Sequence, residues 1–413
     1  MAAAMAGKHD GLSRRQFLAG GARGIGVLAF VPALLSACGG TAAPAASSSG
    51  SPSAAAAVSG GDWQATWSAW QAAAKQEGTV VVFGPPTPKL RETLPPAVKA
   101  KLGLDIKYTG QDGGAFVSKL ATERAAGTYS TDVVVAGAGS MFQGVAGKGK
   151  IENGVMGMLA PLKPKLLLPE VLDPSKYQDN KLWFVDPQGQ YVLRIANFTA
   201  STVAVNTNVV KPTDIQRWQD LLSPTYTGKI AMYDPTVAGA AIAPTTQLWN
   251  AYGQDFLKKL FVDQQPFISR DHRQIADQLS NGSRPVSLFL QSQALNSAAA
   301  QGLPVVGLGH MADLPQQVSG GFGFLGLLDH APHPNAAAVF INWMLSREGQ
   351  QLWQDAQQEA STRIDLNSDG YPAWYKDTVP KPGEQYFDIH GWDFILTDEP
   401  KVQKAMQEML GRH

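Results

Sequence analysis

The sequence predicts an α/β protein of two lobes, joined by a hinge around an interlobe cleft. Three observations carry this. Between positions 79 and 142 an apolar run of strand length, a glycine- or proline-rich turn and a helical pattern follow one another repeatedly. That is the signature of a parallel sheet with helices packed on it. A second series of strands and helices begins at position 203, and the apolar strand 305–308 leads back toward the first. A lobe that is interrupted by another and then completed needs two chain crossings, and two crossings make a hinge.

Trp63, Trp67 and Trp70 recur at helical spacing, and Gly78 ends that helix. A strand follows over 79–83, broken by Gly84-Pro85-Pro86-Thr87-Pro88. Leu90, Leu94, Val98 and Leu102 then mark a helix that Pro95 and Pro96 should shorten or kink. A second strand over 105–108 turns at 110–114 into a helix over 116–126, stopped by Gly127. The third strand, 132–135, turns at 136–140. In the second unit strands are expected over 203–207, 229–233 and 285–290, with helices over 247–253, 255–260 and 275–279. One long helix is expected over 335–353. The division that follows is lobe 1 over 62–202 and 309–413, and lobe 2 over 203–308.

Two addresses precede this body. Ser13-Arg14-Arg15-Gln16-Phe17-Leu18 reads as a twin-arginine export signal, followed by a soft apolar run over 25–35. Leu35-Ser36-Ala37-Cys38 then reads as a lipobox, with small residues at the cut and a thiol to take a lipid. Glycines thin the apolar run below the ~20 residues a membrane span needs. Residues 1–37 are therefore expected to be a removable signal peptide. Residues 38–61, nearly all Ala, Ser, Gly and Pro, form a flexible tether between lipid and body. Cys38 is the only cysteine, so no disulfide within the chain supports the core. Removing 1–37 takes four bases and one acid from a chain with 34 of each, leaving a small negative balance. No basic stripe points to nucleic acid. The expected protein is an extracytoplasmic monomer held to the cell membrane through Cys38.

In parallel sheets a ligand sits beyond the carboxyl ends of the strands. The turns 84–88, 110–115 and 136–142 gather there. Free N–H groups at helix starts favour carboxylate, phosphate or phosphonate, and glycine lets a ligand approach the backbone. Tight connections need glycine in any case, and both readings stay open. Gly84, Pro85, Thr87, Gly113, Gly114, Gly139 and Ser140 are the ligand-binding candidates in this lobe.

Several stretches resemble a known family: EGTVVVFGPP, ATERAAGTYSTDVVVAGAGSM, VAVNTNVV, GKIAMYDPTVAGAA and APHPNAAAVFINWMLSREGQ. They look like the ferric-iron-type extracellular solute-binding proteins of ABC importers. The likeness runs over 75–141 and 203–353. It implies a two-lobed type II periplasmic-binding-protein-like fold, capture of a small-molecule solute and delivery to permease subunits in the membrane. The residues themselves offer no G-x-S-x-G, no plausible cysteine nucleophile and no catalytic constellation, so neither catalysis nor a cofactor is expected. Iron-binding members hold the ferric ion with adjacent tyrosines in the second lobe. The matching strand here reads Val286-Ser287-Leu288-Phe289-Leu290-Gln291-Ser292, and the chain has no Tyr-Tyr pair. Phenolate oxygens suit a hard ferric ion, and Phe289 has none to give. An organic or anionic solute is therefore expected, with ferric iron or an iron chelate as the alternative and an extracytoplasmic enzyme or ligand sensor as another. Arg194, Arg270 and Arg273 are candidate partners for an oxyanion, which arginine meets with two parallel hydrogen bonds. Each also reads as an ordinary surface residue. Asp234, at a strand end, is a candidate for an amine or hydroxyl, or simply an Asp-Pro turn starter.

Other motifs fail their context. Gly321–Gly326 has the spacing of a dinucleotide loop but runs into strand residues and opens no helix. Residues 144–150 have phosphate-loop spacing, yet Ile151 replaces the required hydroxyl. Residues 365–370 copy half a calcium loop, with Lys376 where the closing carboxylate belongs. His330 and His333 lack an evident carboxylate partner and make an improbable metal pair. No metal site is expected.

Overall fold

A computed structural model describes residues 62–111, 113–237 and 239–412. The expected signal peptide, Cys38 and the tether lie outside the described residues. The body opens with α1 (Trp63–Glu77), β1 (Thr79–Gly84), α2 (Pro88–Leu102), β2 (Asp105–Gly110), α3 (Gly113–Ala125) and β3 (Val133–Ala136). Further on come β4 (Leu193–Arg194), β5 (Phe198–Thr199) and β6 (Val203–Asn206). The middle of the chain supplies β7 (Ile230–Tyr233), α4 (Ile242–Lys258), β8 (Phe267–Ser269), α5 (His272–Ser280), β9 (Val286–Leu288), α6 (Ser292–Ala300) and β10 (Val305–Leu308). The last part carries β11 (Gln317–Ser319), β12 (Phe324–Leu328), α7 (Pro334–Leu345), α8 (Arg347–Gln357), β13 (Phe387–Asp388) and α9 (Glu399–Leu410).

The first sheet has β1 between β2 and β3, all parallel, and then β12 antiparallel to β3. The strand patterns explain its burial. Val80, Val82, Val133, Val135, Leu325 and Leu327 face one layer with α2, α7 and α8, while Phe83, Val134 and Phe324 face Phe116 and Phe142 on the other. A sheet covered on both faces needs continuous apolar strands, which is why these read as unbroken runs. The second sheet runs β8-β7-β9-β6-β10, with β8, β7 and β9 parallel and β6 antiparallel to both neighbours. The expected parallel sheet holds for β1, β2 and β3, and β6 and β12 add an antiparallel strand to each sheet. They come from the segments that leave one lobe or return to it.

Other expectations also change. Pro95 and Pro96 sit inside an unbroken α2. Glu92 and Pro96 face solvent, and Leu90, Leu94 and Val98 anchor both ends in the core. Unpaired carbonyls there meet water, so the prolines cost less than in a buried turn. The long helix over 335–353 is two helices. Ser346 adopts an extended conformation, and its Oγ accepts from Gly349 N at 3.3 Å. Conversely, the helices over 247–253 and 255–260 join as α4, with only Gly253 off the helical path.

A three-stranded sheet, β13-β11-β5, bridges the cores. The chain leaves the first core through β5 and returns through β11. It then crosses a third time. Ile395 packs in the first core's outer layer and Phe394 in a small cluster with Ala243 and Ile389, but Val402 and Met406 of α9 are buried with Trp218, Leu248 and Leu257 in the second. The stretch 309–413 therefore does not stay wholly with lobe 1. An amphipathic C-terminal helix carries no mark of which core it joins.

Candidate functional site

The turns at the first sheet's carboxyl edge do come together, because glycine leaves room for it. A Cβ on Gly84 would lie 2.5 Å from Tyr108 Oη, whose hydroxyl donates to Pro85 O at 2.7 Å. A Cβ on Gly110 would lie 2.8 Å from Pro85 O, and one on Gly113 would strike Ser140 Oγ. Gly137 stands 3.7 Å, by the same measure, from the carbonyl of Gly321. So Gly84, Pro85, Gly113 and Ser140, with exposed Gly139, share one edge.

Their chemistry differs from expectation. In 84–88 three of five residues are proline, which has no N–H to offer an anion. Thr87 does not cap α2; its hydroxyl donates to Gln357 Oε1 instead. Gly114 and Ala115, at the start of α3, are already partnered. Backbone amides of the first two turns are thus not the free anion cradle the sequence suggested.

Side chains that sequence reasoning missed stand at the same edge. Gln357, at the end of α8, is 2% exposed, and its Nε2 has no hydrogen-bond partner among the described residues. Glu359 lies against Gly321: a Cβ there would be 2.5 Å from Cδ and both carboxylate oxygens. The Phe322 N–H reaches this carboxylate, but burial prevails and pushes it up to about 8. Its Oε2 is closed off from solvent and has no hydrogen-bond partner among the described residues. Polar residues ending an amphipathic helix look like surface, and nothing in their spacing marks them otherwise.

Arg194 is a correction. It is 1% exposed and donates to Ala196 O at 3.0 Å, Asp388 Oδ1 at 2.8 Å and Asn197 Oδ1 at 2.5 Å. Its guanidinium is buried and engaged within the hinge rather than presented to a solute. Burial lowers the pKa of Arg194, opposed by Asp388. Beside it His390 Nδ1 accepts from Gly320 N at 2.9 Å, and burial followed by the Arg194 charge pulls its pKa down to about 3. Together these groups hold the Gly320–Gly321 turn.

At the second sheet's carboxyl edge, Asp234 follows β7 and is fully buried. It accepts from Thr236 N at 2.9 Å, Thr236 Oγ1 at 2.6 Å, Arg270 Nε at 3.0 Å and Arg412 Nη1 at 3.3 Å. Burial alone would raise its pKa, but these donors hold it below the usual range. Asp234 is the turn starter as well, so it does not meet a solute itself. Arg270 keeps half of its side chain exposed, and Arg412 slightly less. Two guanidinium groups on one carboxylate leave a net positive charge at this edge. His272 stacks on Tyr233 with ring centroids 4.2 Å apart. Arg273 points away, 88% exposed on its own helix cap Asp271.

Both edges adjoin the hinge. Gly320 and Gly321 continue from β11, while Ala243, at the start of α4, packs on Ile389 and Phe394. Gln143 Nε2 meets Ile395 O at 3.5 Å, and Gln403 and Gln407 of α9 both donate to Thr236 O at 3.1 Å. The first-lobe candidates and the Asp234–Arg270 pair thus stand on opposite sides of one bridging segment. His330 and His333 have carboxylate partners after all, Asp329 and Asp132, but the pairs are structural. Among the described residues no three potential ligands gather for a metal.

A family model described as bacterial extracellular solute-binding protein matches residues 96–379. The chain belongs to this family. A Haemophilus influenzae protein described as uncharacterized is 23% identical to this solute-binding protein over 306 residues, 68% of this chain and 76% of that one. The ferric binding protein from Campylobacter jejuni has the same fold, with a TM-score of 0.61 at 14% identity, covering 80% of this chain and 99% of its own. So does AfuA from Actinobacillus pleuropneumoniae, solved with exogenous fructose-6-phosphate bound, at 0.58 and 17%, covering 81% and 99%. The fold is the two-lobed one of periplasmic binding proteins. The function of this solute-binding protein is capture of a small solute, the role its family plays for ABC importers.

Proposed function

We propose that this chain is the lipid-anchored receptor of an ABC importer and takes an organic solute bearing an oxyanion, such as a phosphate ester, phosphonate or carboxylate. The observation that carries the class of solute is Arg270, half exposed and pinned by buried Asp234 and Thr236 at the hinge-side edge of the second sheet. An arginine already oriented in this way loses little further freedom on binding and can offer its open N–H groups to two oxygens. Phe289, buried where iron-binding relatives place phenolate, speaks against bare ferric ion. Export by the twin-arginine signal and acylation at Cys38 keep the receptor beside its permease. The lobes close on the solute about the three hinge crossings, and the closed form is the one the permease reads.

A thermal-shift series over fructose 6-phosphate, 2-aminoethylphosphonate, citrate, ferric citrate and thiamine tests the reading. An oxyanionic compound should raise the melting temperature, and Arg270→Ala should abolish the rise. A response to thiamine alone, a response indifferent to Arg270, or conversion of a bound compound to product would contradict it.

A further inference from the structure

The unpartnered polar atoms at the first edge form a pattern. Thr87 follows β1, and Gly321 precedes β12 at the same end of the sheet. Thr87 engages Gln357 through Oε1 and leaves Nε2 bare in a nearly closed environment. Two residues on, past left-handed Gln358 (φ 56°), Glu359 packs on Gly321, whose φ of +51° and missing Cβ make the space. A buried polar atom left bare costs about 1–3 kcal/mol, so two at one strand edge point to a polar group that would meet them.

Building on the proposed oxyanion site at Arg270, we propose that Gln357 and Glu359 form a second subsite, which receives an uncharged oxygen, a hydroxyl or carbonyl, from the other end of the same solute. Both groups are donors here. The amide is one by its nature, and the carboxyl because burial keeps its proton up to about pH 8. The titratable groups around it do not supply a charge. Tyr375 feels the Glu359 carboxyl electrostatically, and its own phenol is pushed up, chiefly by burial. Across the Gly320–Gly321 turn, Arg194, Asp388 and His390 are engaged with one another and with the backbone. An ammonium would need the ionised carboxylate and would show the opposite pH dependence.

Calorimetric titration of the purified full chain with glucose 6-phosphate, 2-aminoethylphosphonate and inorganic phosphate, at about pH 7 and about pH 9.5, tests this. Glucose 6-phosphate should bind at least about tenfold more tightly than the other two. Glu359→Ala and Gln357→Ala should remove that advantage, and Glu359→Gln, which retains a donor, should preserve it. Raising the pH should weaken wild type about tenfold and leave Glu359→Gln unchanged. Circular dichroism establishes that each variant is folded. Tightest binding of 2-aminoethylphosphonate, lost in Glu359→Gln, would overturn the subsite in favour of an ammonium. Equal binding of all three, or indifference to Glu359→Ala, would overturn it outright. Binding that ignores Arg270→Ala, or no binding by any probe, is the separate result that sinks the oxyanion site itself, and the subsite with it.

Discussion

Glu399 opens α9, the helix that makes the third crossing, and is only 8% exposed. A carboxylate at a helix start ordinarily gains about 0.3–1 kcal/mol from the helix dipole. Burial outweighs this and pushes the group up to about 8 from 4.5. The folded chain therefore keeps this proton between those limits while the unfolded chain releases it. Stability is greatest at the acid end and falls as pH rises, by about 1.4 kcal/mol per pH unit for each such group. Glu359 acts in the same direction. His390 acts in the opposite one, because it stays neutral in the fold down to about 3 and costs stability as pH falls below 6.5. Between about pH 6.5 and about pH 8 the two glutamates act alone, and one of them contributes about 2 kcal/mol over that window. Glu399→Gln should leave stability near pH 5 almost unchanged, raise it by about 2–4 kcal/mol near pH 8, and halve the slope between. Urea unfolding of wild type and variant at matched pH measures all three. A variant parallel to wild type across the range would show that Glu399 is solvated and ionised.

Gly113→Ala forces a methyl onto Ser140 and should cost about 1–3 kcal/mol in urea unfolding, with Ser140→Gly restoring part of it. Asn342 joins α7 to the 165–168 segment, accepting from Leu167 N at 2.8 Å and Leu168 N at 3.1 Å and donating to Lys165 O at 2.7 Å. Its replacement by alanine strands these buried groups and should cost about 3 kcal/mol by the same assay. Cys38→Ser should move the mature protein from the membrane fraction to the soluble one on cell fractionation; retention at the membrane would contradict the lipobox.

Much of this was legible in the residues. Val80–Phe83 and Val133–Val135 are apolar without a break because both faces of their sheet are covered, and such strands announce themselves. Asp234-Pro235 marked the end of β7 correctly as a turn, though not that its carboxylate serves Arg270 and Arg412 from 36 and 178 residues away. The prolines at 85, 86 and 88 already argued in the sequence against an amide cradle. Gln357, Glu359 and the destination of α9 were not legible. Their meaning depends on Thr87 and Gly321, which approach them only once the sheet has closed, and a helix bearing Val402 and Met406 fits either core by pattern alone. The break at Ser346 was hidden because Ala336 to Trp353 keeps a helical repeat through it.

Hydrogen–deuterium exchange with the compound giving the largest thermal shift tests capture between the lobes most directly. Protection is expected to appear together at 234–241 and 268–272 on one side and at 320–323 and 357–359 on the other. Protection confined to one side, or to the outer groove around Trp67, Trp343 and Leu352, would contradict it.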